Sequence, residues 1–254
     1  MRDFTRYTYK KLLQTLQENG YQFQTFSEFL TKPLDKCVVL RHDSDIWPIN
    51  DLKMAEMEFA LKAKASYYFR VPETFNPEII KKIVSMNHEV GYHYEDLVRH
   101  NGNIERSMSS FSNNLSLLRT HAEVKTISRH GRPLSNIDSL DLWSSMDYKK
   151  EFDLIGEVYL DVDYTDILYL TDNGSKWNAH SSNIRDTVQK SEHSLNVRST
   201  FELINAIKCN KTPRRVILNC HPARWNNNYF IWLYRFVLQK MKNIAKFLLK
   251  KFRN

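Results

Sequence analysis

The chain has 254 residues, of which 42% are apolar and 13% aromatic, with a formal net charge of +8 and three cysteines. This length fits one large domain of the size of an α/β barrel, or at most two small ones, and the apolar content is enough for a sizeable core. Because no internal repeat, linker or low-complexity segment is found, we expect a single domain over residues 1–254. The N-terminal segment lacks the apolar core of a signal peptide, and the longest apolar run, YFIWLY, is far shorter than a membrane span. The cysteines form no CxxC pair, which favours a reducing compartment and therefore the cytoplasm.

The positive charge is concentrated near the C-terminus. Residues 235–253 contain seven Lys or Arg and no acid, which leaves 30 of the 37 basic residues, against 29 acids, for the rest of the chain. A nucleic-acid-binding domain would carry its basic residues along a working face of the fold. The nearly neutral body of the chain therefore argues against a nucleic-acid partner.

In chain order, the hydrophobic pattern predicts helices and strands in alternation. Helices are expected over 7–19, 50–62, 77–86, 104–120 and 200–208, where apolar residues recur at helical spacing. Strands are expected over 37–42, 65–70, 88–94, 124–130, 154–160, 167–170 and 216–220. A last, basic amphipathic helix is expected over about 228–252. This alternation indicates βαβ units and a mainly parallel sheet in an α/β fold.

Polar side chains recur where the predicted strands end. Asp43 and Asp45 follow the first strand, His93 lies near the end of the third, His130 ends the fourth and His221 follows the last. In barrels and open parallel sheets alike, active sites are built at the carboxyl ends of the strands. The repeated placement favours one site shared by all five side chains.

The two aspartates are spaced so that both carboxylates can face one pocket. Alternate residues of an extended chain point the same way, and two close carboxylates repel each other unless a cation lies beside them. Asp45, with His93 and His130 as neutral nitrogen donors, offers a site for zinc or a similar divalent metal. Such an ion acidifies water and polarises a carbonyl. Asp43 is then free to act as a base, and His221 to protonate a leaving group.

Each of these residues also has a purely structural interpretation. The stretch DSDIWPIND contains enough Asp, Ser, Asn and Pro to form a turn and a helix cap. His93 could be a hydrogen-bonded core histidine, and His221, which precedes Pro222, could simply end a strand.

Five segments in order carry a resemblance to a known family. They are VVLRHDSDIWPINDLKMAEME with ASYYFR, NHEVGYHYEDL, SRHGRPLSNIDSLDLW, YLDVDYTDILYLTDNGSKW and ILNCHPARW. Together they resemble the polysaccharide deacetylase superfamily, the NodB-homology fold of carbohydrate esterase family 4. Within it the chain is similar to the WbmS-like members associated with O-antigen and surface-polysaccharide gene clusters. The resemblance covers nearly the whole chain and implies a distorted (β/α) barrel that hydrolyses an acetyl group from a sugar with the help of a metal.

The resemblance also implies roles for single residues. Asp43 matches the general base of the family, and Asp45 matches its metal-binding aspartate, as in relatives with an Asp-x-Asp form of that motif. His93 matches the first histidine ligand. His221, in NCHP, matches the histidine that acts as the acid.

One position departs from the family pattern. The common motif has a second histidine four residues after the first, where this chain has Leu97. We expect His130 to replace it, because this residue ends the neighbouring strand, with Glu95 and then His100 as alternatives. Without a replacement ligand, the chain would be a relative that has lost its metal and only binds glycans.

Six residues are expected to orient or contact the substrate. Arg41 and His42 complete the mouth of the first strand and would orient its carboxylates by hydrogen bonds. In TDNGSKW, Trp177 beside Asp172 offers an aromatic face suited to a sugar ring, although the segment equally fits a tight turn with a packed tryptophan. The six expected residues are Arg41, His42, Tyr94, Glu95, Arg132 and Trp177.

The predicted function is removal of an acetyl group from a sugar in surface-polysaccharide biosynthesis. The expected partner is an acetylated sugar, a sugar nucleotide or a lipid-linked glycan. Opening of a cyclic amide on the same fold, or glycan binding without catalysis, are the alternatives. The basic C-terminal helix could contact an anionic inner membrane surface, or it could be an ordinary barrel helix with a solvated basic face.

Overall fold

The structure is a computed structural model, and it describes residues 2–132, 135–144, 146–177, 186–188 and 191–253. At its centre is a β-sheet in which every described strand pair is parallel. The strands are β1 (Gln22–Gln24), β2 (Cys37–Ser44), β3 (Ser66–Phe69), β4 (Glu89–Tyr94), β5 (Thr126–Arg129), β6 (Gly156–Glu157), β7 (Ile167–Thr171) and β8 (Arg215–Cys220). They lie in the order β6-β5-β4-β3-β2-β8-β7, and β1 pairs with the first half of β2.

Strand β2 organises the sheet because all of its residues are buried. Strand β8 runs along one side of it, while β1 and then β3 pair with successive halves of the other side. Its side chains alternate between two apolar cores, with Val38 and Leu40 in the larger one and Cys37 and Val39 in the smaller one. The next residues of the second set are the polar ones that form the site described below.

The sheet is curled, so that chain segments beside its two edge strands meet. Tyr159 follows β6, and Tyr169 lies in β7. Both hydroxyls accept hydrogen bonds from Arg41 Nη1 in β2, at 3.0 Å and 3.4 Å. The distorted, open (β/α) barrel expected from the resemblance is therefore confirmed as the fold class.

Helices cover the sheet, and most of them begin at a side-chain cap. Thr5, Asn76, Asn103 and Ser199 each accept a hydrogen bond from a backbone N–H of the first helical turn. The helices are α1 (Arg6–Glu18), α2 (Phe26–Thr31), α3 (Ile49–Ala60), α4 (Pro77–Ser85), α5 (Asp96–Arg99), α6 (Ile104–Arg119), α7 (Tyr148–Phe152), α8 (Thr200–Lys208) and α9 (Tyr229–Arg253), with short 3-10 helices at Ser139–Trp143 and Pro222–Arg224.

The predicted alternation of helices and strands is confirmed, with two differences. The strand expected over 154–160 is reduced to β6. The Glu157 carboxylate accepts hydrogen bonds from the backbone N–H groups of Tyr159 and Leu160, at 2.5 Å and 3.1 Å, and this turns the chain. The prediction lacks β1, α2 and the short helices α5 and α7, although Thr25 and Glu28 form a capping box that marks the start of α2.

The C-terminal helix α9 agrees with the predicted range, and its side chains beyond Asn243 lie outside the described residues. Two hydrogen bonds attach it to the rest of the fold. Trp232 Nε1 donates to the carbonyl of Asp3 at 2.7 Å, and Asn243 Nδ2 donates to the carbonyl of Gly174 at 3.0 Å. Within the described part of the chain, no helix has the length and apolar character needed to cross a membrane.

Candidate metal centre and its catalytic surroundings

Three potential metal ligands meet at the carboxyl end of the sheet. Asp45 follows β2, His93 lies in β4 and His130 follows β5. Asp45 Oδ1 lies 3.8 Å from His93 Nε2 and 3.5 Å from His130 Nε2. One ligand atom from each of the three residues lies within 4.8 Å of the others. The pairing of β4 with β5 brings the two histidines together.

His93 is held in the tautomer that leaves Nε2 free. Its Nδ1 lies 2.9 Å from the carbonyl oxygen of Ser128, which can only accept, so Nδ1 carries the proton. Burial lowers the pKa of His93 to about 4, although the neighbouring Asp43 carboxylate opposes this shift. The imidazole is therefore neutral at pH 7, the form that binds a metal.

Glu95 fixes the ring of His130 in a similar way. His130 Nδ1 lies 2.7 Å from Glu95 Oε2, which directs Nε2 toward the other two ligand atoms. Burial opposes ionisation of Glu95, but hydrogen bonds from His130 and Arg132 outweigh it and hold the pKa of this carboxyl below its ordinary value. Arg70 and Arg99 also donate to the same carboxylate. Glu95 thus stays ionised beside His130.

Leu97, which stands where the family has its second histidine, is buried in the apolar core. Of the three replacements considered, the structure brings His130 to the other ligands. Glu95 instead holds the His130 ring, and His100, at the end of α5, is not part of the ligand cluster.

Asp43 lies beside the ligand atoms and is held by a cation from its own strand. Arg41 donates from Nε to Asp43 Oδ1 at 2.9 Å and from Nη2 to Oδ2 at 2.8 Å, and Asn219 Nδ2 donates to Oδ2 at 3.0 Å. Burial opposes ionisation of Asp43, but the charge of Arg41 outweighs it and lowers the pKa well below its ordinary value. Asp43 Oδ2 lies 3.8 Å from His93 Nε2, so an ionised carboxylate faces the space between the ligands.

His221 approaches the same space from the end of β8. Its Nε2 lies 3.9 Å from Asp45 Oδ2, and its Nδ1 lies 2.6 Å from Asp172 Oδ1. Burial and the charge of Arg224 lower the pKa of His221, but Asp172 outweighs both and raises it above the ordinary value. Asp172 is fixed in turn by Trp225 Nε1 at 2.7 Å. The pair favours a protonated imidazole whose Nε2–H points into the site.

The residues present fit a divalent metal. Asp45 Oδ1 is buried and has no hydrogen-bond partner among the described residues, so a cation would satisfy it. The imidazole Nε2 atoms of His93 and His130 face it. One carboxylate and two imidazoles form a donor set that zinc and related ions accept, with positions left open for water and substrate.

The structure corrects the predicted substrate contacts of His42 and Tyr94. Adjacent residues of a strand face opposite sides of the sheet, so the neighbours of Asp43 and His93 point away from the site. His42 Nε2 lies 2.7 Å from a carboxylate oxygen of Glu58, and Tyr94 is fully buried in the core.

The predicted sugar contact of Trp177 is corrected as well. Only 1% of this side chain is exposed, and its Nε1 donates to Thr200 Oγ1 at 3.0 Å. The alternative interpretation of TDNGSKW, a tight turn with a packed tryptophan, describes the segment: the backbone N–H of Ser175 donates to the carbonyl of Asp172 at 3.0 Å.

The remaining predicted substrate residues lie near the site and hold its carboxylates. Arg41 pairs with Asp43, and Arg132 Nε donates to Glu95 Oε2 at 2.6 Å. The Arg132 side chain is 43% exposed, which leaves part of its guanidinium open to a ligand.

Sequence reasoning missed three residues of the site. Asn219 lies opposite Arg41 in the pairing of β2 with β8, and no local pattern marks it. Asp186 accepts hydrogen bonds from Tyr159 at 3.0 Å and Thr171 at 2.7 Å, also without a sequence signal. Asp172 does stand in a quoted motif, but as a sugar-facing group rather than as the partner of His221.

The sequence matches no family model and no curated protein. Solved structures of carbohydrate esterase family 4 are similar to this chain. A family 4 esterase from Streptococcus mutans has a TM-score of 0.49 and 15% identity, covering 94% of this chain and 91% of that chain. A family 4 acetyl xylan esterase from Clostridium thermocellum, in complex with a cobalt ion, has a TM-score of 0.41 and 17% identity, covering 84% and 91%.

A family 4 pseudoenzyme from Bacillus anthracis is similar too, with a TM-score of 0.42 and 13% identity, covering 83% of this chain and 62% of that chain. These similarities concern the fold and do not single out the WbmS-like members. In structure, the chain is similar to esterases of carbohydrate esterase family 4.

Proposed function

We propose that this protein is a metal-dependent hydrolase that removes an acetyl group from a sugar. The observation that carries the proposal is the convergence of Asp45, His93 and His130 with an ionised Asp43 and a paired His221. Hydrolysis of an acyl group needs positive charge at the carbonyl oxygen, an acceptor for the proton of the attacking water and a donor for the leaving atom. This site offers one candidate for each.

Asp45, His93 and His130 would hold the metal, and zinc suits this donor set. When bound, a divalent ion would acidify a water and polarise the acetyl carbonyl. The Ser128 carbonyl and Glu95 orient the two imidazoles for this task.

Asp43 accepts the proton of the attacking water. Arg41 and Asn219 keep its carboxylate ionised across the neutral pH range. A carboxylate with so low a pKa is a weak base, so it takes a proton only from a water that is itself strongly acidified. Asp43 Oδ2 lies 3.8 Å from His93 Nε2, one of the atoms that would hold the metal, so Asp43 is beside the ion that would acidify this water.

His221 protonates the leaving group. The water oxygen bonds to the acetyl carbon, the C–N or C–O bond to the sugar breaks, and the proton from His221 Nε2 passes to the departing nitrogen or oxygen. Asp172 holds the other ring nitrogen at 2.6 Å and so aims the donor at the site.

The substrate and setting follow from the sequence resemblance to the WbmS-like members. We infer an N-acetylated or O-acetylated sugar, carried as a sugar nucleotide or a lipid-linked glycan, in cytoplasmic surface-polysaccharide or O-antigen biosynthesis. What supports this setting is the order of the five quoted segments.

The test combines metal analysis with assays for acetate release from acetylated sugars. Asp45→Ala should lose the metal that the parent protein binds. Asp43→Asn should keep the metal and lower kcat by about 100-fold or more, because a proton acceptor is lost. Circular dichroism would check that the latter variant still folds, since it leaves the buried Arg41 without its carboxylate.

Other outcomes would assign other functions. Opening of a cyclic amide without acetate release would assign an amidohydrolase. Sugar binding that survives Asp43→Asn, with no turnover by the parent protein, would assign glycan binding alone. Metal-free parent protein, with unchanged stability in Asp45→Ala, would refute the mechanism.

We also propose that α9 contacts an anionic membrane surface. Phe230, Tyr234, Val237 and Met241 recur at helical spacing and are 77%, 59%, 49% and 62% exposed. The helix segment 235–253 adds seven basic residues and no acid. Exposed apolar side chains beside cations suit the headgroup region of an anionic bilayer.

Vesicle sedimentation tests the membrane contact. The protein should bind phosphatidylglycerol vesicles more strongly than phosphatidylcholine vesicles, and the double variant Phe230→Ser, Met241→Ser should lose that binding. Equal binding of the parent protein to both kinds of vesicle would contradict the proposal.

A further inference from the structure

We propose that Arg235 and Lys242 of α9 bind a phosphate group carried by the acetylated sugar. The inference rests on the proposed function and names the residues that would hold the phosphate ester of a sugar nucleotide or a lipid-linked sugar. Arg235 lies over Trp47, two residues after Asp45, and Lys242 precedes Asn243, which contacts the turn at Gly174. This surface between Trp47 and Gly174 is the entrance of the site, and it lies outside the ligand cluster and the acid–base pair.

The guanidinium of Arg235 stacks on the ring of Trp47. Its guanidinium carbon lies 5.2 Å from the centre of the Trp47 ring, and Trp47 comes two residues after Asp45 in the chain. Trp47 has a φ of 56°, a left-handed conformation that a bulky residue rarely adopts. Such strain persists only where the surroundings hold it and is concentrated at functional sites. Arg235 Nε is buried without a hydrogen-bond partner among the described residues.

The cations at this entrance lack acids of their own. Arg224 is committed to Asp172, with Nη1 2.7 Å from Oδ1. No acid of the described segments forms an ion pair with Arg235 or Lys242. Burial lowers the pKa of Arg235, and the positive charge of Arg224 lowers it further. Lys242 is exposed and lies two helical turns after Arg235, on the same face of α9. The carboxylate of Asp45 favours both charges but forms no ion pair with either cation. An anion from outside is what would balance them.

Hydrogen bonds hold helix α9 against the rest of the fold on both sides of Arg235. Asn243 Nδ2 donates to the carbonyl of Gly174, in the same turn as Asp172, the partner of His221. At the other end of the described part of the helix, Trp232 Nε1 donates to the carbonyl of Asp3. Arg235 and Lys242 are therefore held beside the turn that carries Asp172.

A phosphate ester suits this pair of cations. The guanidinium presents a planar fork and the ammonium a point charge, and both are common partners of phosphate oxygens. On the side of Trp47 away from these two cations, a cleft of about 740 Å³ offers room for the rest of the ester, and its polar lining includes Arg6, Lys53, Asn226 and Asn228. Sugar nucleotides and lipid-linked diphosphate sugars share this chemistry.

The test measures binding rather than turnover. The probes are UDP-N-acetylglucosamine and uncharged N-acetylglucosamine, both with EDTA present so that a metal cannot hold the diphosphate. Arg235→Ala should weaken binding of the UDP-sugar by about tenfold or more, because a charge-assisted hydrogen bond is lost. Lys242→Ala should act in the same direction, and Arg235→Lys should retain part of the affinity. Affinity for the uncharged sugar should hardly change.

The control is Lys240→Ala, which removes an exposed charge from the same helix and should leave both affinities unchanged. A polyprenyl diphosphate N-acetylglucosamine in phosphatidylcholine vesicles, measured with the same variants, tells the lipid-linked source from the soluble one. Equal affinities of the parent and of the double variant Arg235→Ala, Lys242→Ala for both phosphate probes would overturn the proposal. Loss of binding to phosphatidylglycerol vesicles alone would then assign the cations to the bilayer. These binding measurements need no turnover. Absence of deacetylation would therefore refute the proposed function, while the affinities would still decide whether Arg235 and Lys242 bind phosphate.

Discussion

Glu95 is a single residue on which the proposed metal site depends, although it is not one of the proposed ligands. Its Oε2 lies 2.7 Å from His130 Nδ1 and 2.6 Å from Arg132 Nε. We expect Glu95→Gln to weaken zinc affinity by about 10- to 100-fold, because the amide lacks the charge that raises the basicity of the imidazole. Competition with a chelator measures this. Glu73→Gln is the control, because Glu73 pairs with Arg99, which also pairs with Glu95. An equal loss of zinc affinity in both variants would show that the arginines, and not the contact with His130, cause the effect.

In the proposed mechanism, Asp172 sets the pH range in which His221 can act as an acid. Burial and Arg224 lower the pKa of His221, but Asp172 raises it above the ordinary value, so the imidazolium persists to higher pH. The acid form is lost as pH rises through that pKa, and kcat/KM should fall there. Asp172→Asn removes the charge and lowers the pKa, so the alkaline fall should move to lower pH. The measurement is kcat/KM for acetate release against pH in both proteins, with metal content as a check. An alkaline fall at the same pH in Asp172→Asn and in the parent protein would contradict this role of Asp172.

At the scale of an element, strand β4 needs a position without a side chain at Gly91. A Cβ there would lie 2.4 Å from Tyr68 Cε1 and 2.8 Å from the backbone oxygen of Thr126. The Tyr68 ring is buried, and a backbone oxygen cannot yield unless β5 moves. We expect Gly91→Ala to lower the free energy of unfolding by about 2–3 kcal/mol, measured by guanidinium denaturation. Ser128→Ala in β5 should change little, because its buried hydroxyl has no partner among the described residues; similar losses in the two variants would refute the steric argument.

Strands β2 and β8 show how far the sequence predicts the site. The apolar run of β2 and the polar residues at its end predict the strand and the shared direction of Asp43 and Asp45. The alternation that joins these two aspartates also excludes His42, so that error was avoidable. Asn219 was not predictable, because it meets Asp43 across 176 residues only through the choice of β8 as the neighbour of β2. The packing of the whole sheet decides which strands become neighbours, and local sequence patterns do not carry that information.

At the scale of the whole molecule, stability toward acid depends on His88, which joins α3 to the sheet. Its Nε2 lies 3.0 Å from the carbonyl of Ala55 and donates to it, while its Nδ1 accepts the backbone N–H of Ala65 at 3.2 Å. An imidazolium has no acceptor nitrogen, so protonation would break the second bond. Burial lowers the pKa of His88, although Glu58 opposes the shift. The folded protein thus holds this ring neutral.

We therefore expect His88 to make the free energy of unfolding fall as pH falls below about 6.5, the ordinary histidine pKa. Between that value and the lower pKa of the folded state, the unfolded chain binds the extra proton, so stability rises with pH. His88→Gln should reduce the slope in this interval by up to about 1.4 kcal/mol per pH unit. Denaturation across this range in EDTA measures it, and the difference from the parent protein isolates His88 because other titrating groups are common to both. If His88→Gln keeps the parent slope, a neutral His88 is not what limits stability in acid.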